Sequence, residues 1–394
     1  MATRQIVIVG GGVIGSSIAW HLRTSGRGVD VTVIERDPAY RRASSFLAMG
    51  GVRQQFSSAA NIRLAQRSIG FYRRFDETMG APGARPRAWL RQRGYLFLVN
   101  DAMVERFERR YATQRSLGAN VERLSVEAIR AHAPDLRLDD IRFGLFGPDD
   151  GYANPREVLA GFRRAAEAAG ATYVTGSVTG VAVAGGRVRD VTLDDVNAVP
   201  ADALVNAAGP FAARLAAMAG VDLPVAPVRQ HLFRCALPHR WPYRFPVVID
   251  PTGVHWRHDD PAAPDGQDRI IVAKTRLDEP AGENFDCDLS RWEDDFRPPL
   301  VRRLPALGAV ELIEGWAGLY EMTPDHNPLI GAHPAIAGFY LANGFSGHGL
   351  MMAPAVGAAM AELLTTGAST RIDIAPFDPT RFARGETFHD DAMI

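Results

Sequence analysis

A chain of 394 residues can bury a large core in one or two domains. Its formal net charge of −1 leaves no basic field to draw nucleic acid or an acidic membrane surface, so both partner classes drop out of the reading. Two cysteines, Cys235 and Cys287, give neither metal-ligand spacing nor a disulfide framework, and no metal site is expected.

The first twenty residues carry Arg4 and an apolar stretch, but three consecutive glycines and the lack of a cleavage site set them apart from a signal peptide. Nothing approaches the roughly 20 apolar residues of a membrane span. The expectation is a soluble, cytoplasmic protein.

Ile6 to Val9 is a β-branched apolar run, read as a strand. Gly10, Gly12, Val13, Ile14 and Gly15 then complete a G-x-G-x-x-G turn leading into a helix. In that context the motif fits a dinucleotide: glycines allow a tight turn and close backbone approach, and the helix N-terminus faces a pyrophosphate. A second strand, Val29 to Ile34, ends in Glu35, placed to accept hydrogen bonds from a ribose. Arg41 to Phe56 (RRASSFLAMGGVRQQF) reads as an extended loop able to pass a ligand.

Asn61 to Met79 is helical, and Gly80 to Pro86 breaks it. Arg93 to Val99 is a strand, Ala102 to Leu117 a helix and Ser125 to His132 a short helix. Asn154 and Pro155 open a helix that runs to Ala169 and stops at Gly170. Strands follow at Ala171 to Val183, Arg187 to Leu193 and Ala203 to Val205. The last enters Asn206-Ala-Ala-Gly-Pro210, which suits either a backbone passing under the same dinucleotide or a plain packing turn.

Val225 to Leu237, Pro246 to Asp250, Val254 to Arg257 and Ile270 to Thr275 read as an antiparallel sheet of a second lobe. Ser290 to Leu304 and Glu311 to Ile330 receive no regular element. Phe339 to Leu341 is a short strand. Asn343 to Gly349 (NGFSGHG) feeds a helix from Leu350 to Thr366, with Pro354 in its first turn and Gly367 at its end.

Read together, GGGVIG with Glu35, VNAAGP, WAGLYEMTPDHNP and NGFSGHGLMMAP resemble, in this order, the FAD-dependent amine oxidoreductases of the D-amino-acid-oxidase superfamily. The likeness runs to the monomeric sarcosine oxidase, dimethylglycine dehydrogenase and FAD-dependent oxidoreductase-domain groups. It implies an α/β fold: a Rossmann-like FAD-binding domain of the glutathione-reductase type with an α+β substrate lobe built on an antiparallel sheet. The expected FAD domain comprises residues 1–85, 150–222 and 310–394, and the substrate domain 86–149 and 223–309.

The resemblance further implies FAD contacts at Arg36, Ser44, Ser45, Gly50 and Gly51, then at Val178, Ala208, Gly209 and Gly318. The C-terminal turn adds Gly344, Phe345, Ser346, Gly347, His348, Gly349 and Leu350. Backbone N–H groups at that helix N-terminus suit the charge of a reduced flavin. His348 is read as serving through its backbone. The chain departs from the pattern at three places. Gly318 and Leu47 replace the cysteine and histidine that link flavin in relatives, so FAD is expected to be non-covalent. Met351 replaces a lysine that pairs with the substrate carboxylate.

The same resemblance implies four candidates for the reaction. Arg53, in the loop that passes the flavin, suits a bidentate carboxylate pair, against an ordinary surface arginine. Tyr320 would wall the substrate, against core packing. His255 would take the amine proton or bind a carboxylate, against a satisfied lobe histidine. Lys274, the only lysine among 44 basic residues, would sit over the flavin if its strand register allows, since one step changes the face.

The expected activity is oxidation of a secondary or N-substituted amino acid to an imine that hydrolyses to an aldehyde or keto acid and an amine. The substrate is expected to be anionic and larger than sarcosine, in the manner of an iminodiacetate-like or opine-like amine. Oxygen is the favoured electron acceptor. The alternatives are a dehydrogenase with another acceptor and a non-catalytic FAD-binding assembly factor.

Overall fold

The computed structural model describes residues 3–80, 86–260, 266–388 and 390; the Gly80–Pro86 breaker therefore lies mostly outside the described residues. Strand β1 (Arg4–Val9) carries Ile6, Val7 and Ile8 buried on both faces, the signature of a strand covered on two sides. It lies inside a six-stranded sheet ordered β18 (Leu329–Ala332), β19 (Phe339–Asn343), β12 (Ala203–Asn206), β1, β2 (Val29–Glu35) and β8 (Thr172–Thr175). All neighbours are parallel except β18 and β19. The carboxyl ends of β12, β1 and β2 thus open on one edge, where the order reverses and ligands bind in such sheets.

An eight-stranded sheet makes the second lobe, ordered β17 (Glu311–Met322), β13 (Ala226–Ala236), β16 (Arg269–Lys274), β15 (Val254–His258), β14 (Val247–Ile249), β4 (Tyr95–Val99), β6 (Phe143–Gly147) and β5 (Glu122–Leu124). It is antiparallel, as expected, except that β14 and β4 run parallel. Two small sheets complete the fold: β9 (Val178–Ala184), β10 (Arg187–Leu193) and β11 (Asn197–Pro200), and the pair β3 (Gly51–Val52) with β7 (Gly151–Tyr152).

The structure corrects several expectations. Glu311 to Met322 is one 12-residue strand along β13, so residues placed in the FAD domain enter the sheet of the other lobe. Its mixed Gly, Trp and Glu content hides the alternation, and the long partner strand decides it. The single strand expected over 171–183 is two, broken at Gly176 and Ser177, where Asp194 accepts the Ser177 N–H at 2.8 Å. The loop over 41–56 contains a helical turn, Ser44–Leu47, and β3. The segment over 290–304 contains a helix, Arg297–Arg303.

The last helix, Gly349–Thr366, is 18 residues long and by length and composition passes for a membrane span. Here 67 % of it is buried in the protein, packed between the first helix, Val13–Thr24, and the helix Ala59–Tyr72. Pro354 stands in its second turn rather than its first. Proline has no N–H to give the Leu350 carbonyl, and the Tyr72 hydroxyl donates to that carbonyl instead. Gly367, at φ +88, ends the helix.

Candidate functional site

The first glycine turn is shaped by contact rather than flexibility alone. Gly10 has φ +103, and a Cβ there would collide with the Ala207 carbonyl, so the first turn rests on the middle turn. A Cβ on Gly15 would collide with the Gly10 carbonyl and stand 3.2 Å from Ile8 Cγ2. Gly15 therefore seats the helix on β1 and does not itself line the cleft.

The first helix has Gly12 as its N-cap and no side-chain cap, so its first-turn N–H groups point to the strand edge. Of these, Val13 donates to Ser45 Oγ at 3.3 Å. Glu35 accepts from the Gly11 N–H at 2.8 Å and the Asp37 N–H at 2.9 Å, which fixes its carboxylate beside the turn. Arg36 stacks on Phe211 at 3.6 Å.

These groups border a cleft of about 420 Å³ along the strand edge. Gly10, Gly12, Val13, Ile14, Glu35 and Arg36 line it at one end, with Val178, Ala208 and Gly209 beside them. Ser44 and Ser45 border its middle. Phe345, Gly347, Gly349 and Leu350 line the other end. There the last helix starts at His348, again without a side-chain cap. Two uncapped helix N-termini on one cleft are the donor set that a pyrophosphate and a reducible ring carrying negative charge require. Gly344 does not line the cleft; its N–H donates to Glu321 Oε2 at 2.9 Å.

Beyond the cleft lies a small chamber of about 90 Å³ between the two lobes, bordered by Gly50, Gly51, Gly318, Ser346 and His348. All four reaction candidates, Arg53, His255, Lys274 and Tyr320, line it. Among the described residues no carboxylate does. Gly318 and Leu47 face one another: a Cβ on Gly318 would stand 3.3 Å from Leu47 Cβ.

Arg53 is buried, not a surface arginine. It donates to the Gln55 carbonyl, lies 3.4 Å from His348 Nε2 and stacks on Phe56 at 4.2 Å. Burial works against its charge, and the Tyr95 hydroxyl, Asp390 and Asp150 support it. His255 Nδ1 donates to the Gly253 carbonyl at 3.0 Å, which leaves Nε2 as a proton acceptor. Burial, reinforced by Arg53, holds its pKa down to about 4, so the ring is neutral at neutral pH. His348 is held lower still, at about 3, by burial and Arg53. Tyr320 is half-buried, and the protein around it raises its pKa; its hydroxyl bonds Thr275 and its ring packs on Gly347, where a Cβ would stand 2.5 Å away.

Lys274 answers the register question in an unexpected way. Ala273 pairs with His255, and both border the chamber. Lys274 pairs with Val254, on the face of the sheet that packs the lobe core. Being the last residue of β16, it borders the chamber nonetheless, and among the described residues no acidic group pairs with it.

Three lining residues carried no sequence signal. Tyr95 arrives through the parallel pairing of β4 with β14. Gln230 and His231 come from the middle of β13. His231 Nε2 accepts the Asp288 N–H at 3.2 Å, so Nδ1 carries the proton, and Nδ1 is buried without a partner. Glu321, next to Tyr320 in the same motif, borders the cleft and is half-buried.

A family model described as DAO, FAD dependent oxidoreductase, matches residues 5–363. FAD-dependent oxidoreductase domain-containing protein 1 of Bos taurus is 31 % identical over 426 residues, covering 99 % of this chain and 87 % of that protein. Glycine oxidase of Geobacillus kaustophilus is 28 % identical over 387 residues, covering 96 % of this chain and 97 % of that protein. The crystal structure of L-proline dehydrogenase from P. horikoshii superposes with a TM-score of 0.88 at 30 % identity, covering 98 % of this chain and 99 % of that one.

Proposed function

Because the chain belongs to the FAD dependent oxidoreductase family and acts on amino-acid-like substrates with FAD as cofactor, we propose that it oxidises an anionic secondary amino acid. The favoured substrate carries two carboxylates, as in an N-carboxymethyl amino acid. One observation carries this reading: Arg53 and Lys274 border a chamber whose described lining has no carboxylate. Two cations on such a lining are ready partners for the carboxylates of a bound anion.

FAD fits the cleft through the two uncapped helix N-termini and Glu35. When bound, it takes two electrons and the hydrogen of the C–H next to the substrate nitrogen. Arg53 grips the α-carboxylate as a bidentate pair. Lys274 takes the second carboxylate, with the His231 Nδ1–H as a further donor. His255, a neutral ring, accepts a hydrogen bond at Nε2 from the amine N–H and so orients the nitrogen lone pair while the C–H bond breaks. Tyr320 and Gly347 close one wall against water. The imine is then hydrolysed to a keto acid or aldehyde and a shorter amine.

We place FAD in the cleft without a covalent link, since Gly318 and Leu47 offer no nucleophile, and oxygen as the electron acceptor. Free Cys235 and Cys287 suit the reducing cytoplasm. The test is anaerobic bleaching of the flavin by iminodiacetate, sarcosine and proline, followed by air and a peroxide assay. Fastest bleaching by iminodiacetate with peroxide release is the expected result. Bleaching without peroxide assigns a different acceptor, preference for an uncharged amine overturns the anionic substrate, and no bleaching by any amine favours a non-catalytic assembly role. Acid precipitation should release the yellow colour; colour that stays in the pellet refutes the non-covalent link.

A further inference from the structure

The cleft holds a second glutamate, within the WAGLYEM stretch. Glu321 sits at the end of β17, and both its backbone and its side chain grip the C-terminal glycine turn. Its Oε2 accepts the Gly344 N–H at 2.9 Å, and the Phe345 N–H also bonds its carboxyl. Its backbone carbonyl accepts the Ser346 N–H at 3.1 Å. The residue is half-buried and borders the cleft beside Gly347, Gly349 and Leu350.

Which end of a bound dinucleotide meets it follows from the layout of the cleft. The pyrophosphate belongs at the uncapped first helix and the adenosine at Glu35, which leaves the reducible ring for the end formed by Leu319 to Glu321 and Gly347 to Leu350.

The groups facing Glu321 do not neutralise it. Its ladder partner on β13 is Pro227. Tyr320 is beside it, Ser346 and His348 belong to the turn, and a Cβ on Gly349 of the last helix would stand 3.9 Å from Oε1. The turn Gly209–Phe211 packs on β17, with the cations of the cleft beyond it. Arg214 is paired with Glu283 at 2.5 Å, Arg36 stacks on Phe211 at 3.6 Å, and Arg42 stacks on Phe285 at 5.0 Å. Among the described residues none forms an ion pair with Glu321.

We propose that Glu321 couples a proton to the redox state of the bound flavin: it pins the glycine turn against the cofactor and takes a proton from solvent when reduction adds negative charge there. Reduction by a hydride equivalent adds one net negative charge at this end of the cleft. The captured proton makes the carboxyl neutral, so the two changes cancel. Burial supports this, because it pushes the carboxyl up to about 7 against the two backbone hydrogen bonds. This inference rests on FAD occupying the cleft but not on the identity of the substrate.

The test is the flavin midpoint potential of the full-length holoprotein, wild type against Glu321→Gln, from mildly acidic to mildly alkaline pH. Acid-released flavin absorbance identifies the loaded protein, so a failure to bind cofactor is seen separately. At acidic pH Glu321 is protonated in both redox states and the two potentials should coincide. At alkaline pH its charge opposes reduction, so the wild-type potential should fall below that of Glu321→Gln. Parallel curves overturn the proposal. A wild-type curve without a change of slope near neutrality overturns it by itself. If Glu321→Gln retains no flavin, Glu321→Asp serves: a displaced break supports the proposal, and an unmoved break overturns it.

Discussion

At one end of the cleft the turn from Gly10 to Gly15 feeds the first helix, and at the other the turn from Gly344 to Gly349 feeds the last; each turn gives a backbone N–H to a glutamate. The local design is the same, and the surroundings separate the two. Glu35 is half-buried at the tip of β2 and accepts two backbone N–H groups beside the rim. Glu321 is likewise half-buried, at the open cleft, but the protein packed around it, with no cation paired to it among the described residues, pushes its carboxyl up to about 7. A carboxylate placed for a ribose suits binding, and one raised close to neutral pH suits a place where charge changes. A strand–glycine–helix unit therefore fixes where a ligand lies, and the packing around it decides whether that end binds or reacts.

If the two ends divide the work in this way, substitutions should divide likewise. The largest effect belongs to the reactive end. Arg53→Ala should lower kcat/KM for an anionic amine by about 2–5 kcal/mol in transition-state binding while flavin content stays near wild type. Intact turnover in Arg53→Ala would sink the basic-chamber reading.

Glu35→Ala should do the reverse. FAD retention should weaken by roughly 1.5–3 kcal/mol, the scale of hydrogen bonds to a charged group. The fraction that remains loaded should turn over normally. Equilibrium dialysis of flavin measures the first quantity and rates per bound flavin the second; unchanged affinity removes Glu35 from the site.

Gly15→Ala tests the packing of the first turn. The added methyl must push the helix off the Gly10 carbonyl, at about 1–3 kcal/mol for overpacking. The expected result is a lower unfolding temperature together with weaker flavin binding. A variant with native melting and native flavin content would show that the contact yields freely.

The smallest effect concerns pH. His255 is neutral in the fold, with a pKa lowered to about 4, whereas in the unfolded chain it protonates near the ordinary value of about 6.5. Between those values the unfolded state binds more protons, so this residue makes stability fall on acidification, by at most about 1.4 kcal/mol per pH unit. Glu321 and Asp150, raised to about 7, act in the opposite sense: they lose stability as pH rises from the ordinary carboxylate range to neutrality. His255→Asn should therefore flatten the acid side of the curve of unfolding temperature against pH. An unaltered slope would mean that His255 is protonated in the fold.

The sequence determined what depends on neighbours along the chain. Gly10, Gly12, Gly15 and Glu35 could be placed because a turn, a helix start and a strand end are set within a few residues. The same holds for the helix after Asn154 and Pro155, whose side-chain cap and N1 proline are both found, and for the end of the last helix at Gly367. The tertiary structure decided what depends on pairing between distant segments. It placed Glu311–Met322 in the second lobe, and it gave the Leu350 carbonyl a hydroxyl from Tyr72 in place of the N–H that Pro354 lacks. It set Lys274 one step out of phase with Ala273, a choice of strand face that alternating side chains leave open until the partner strand fixes the register. It also gathered Arg53, Tyr95, His231, His255 and Tyr320, from five separate strands and loops, around one chamber. No local pattern encodes that meeting, because burial and hydrogen-bond partners exist only once the two sheets have closed on each other.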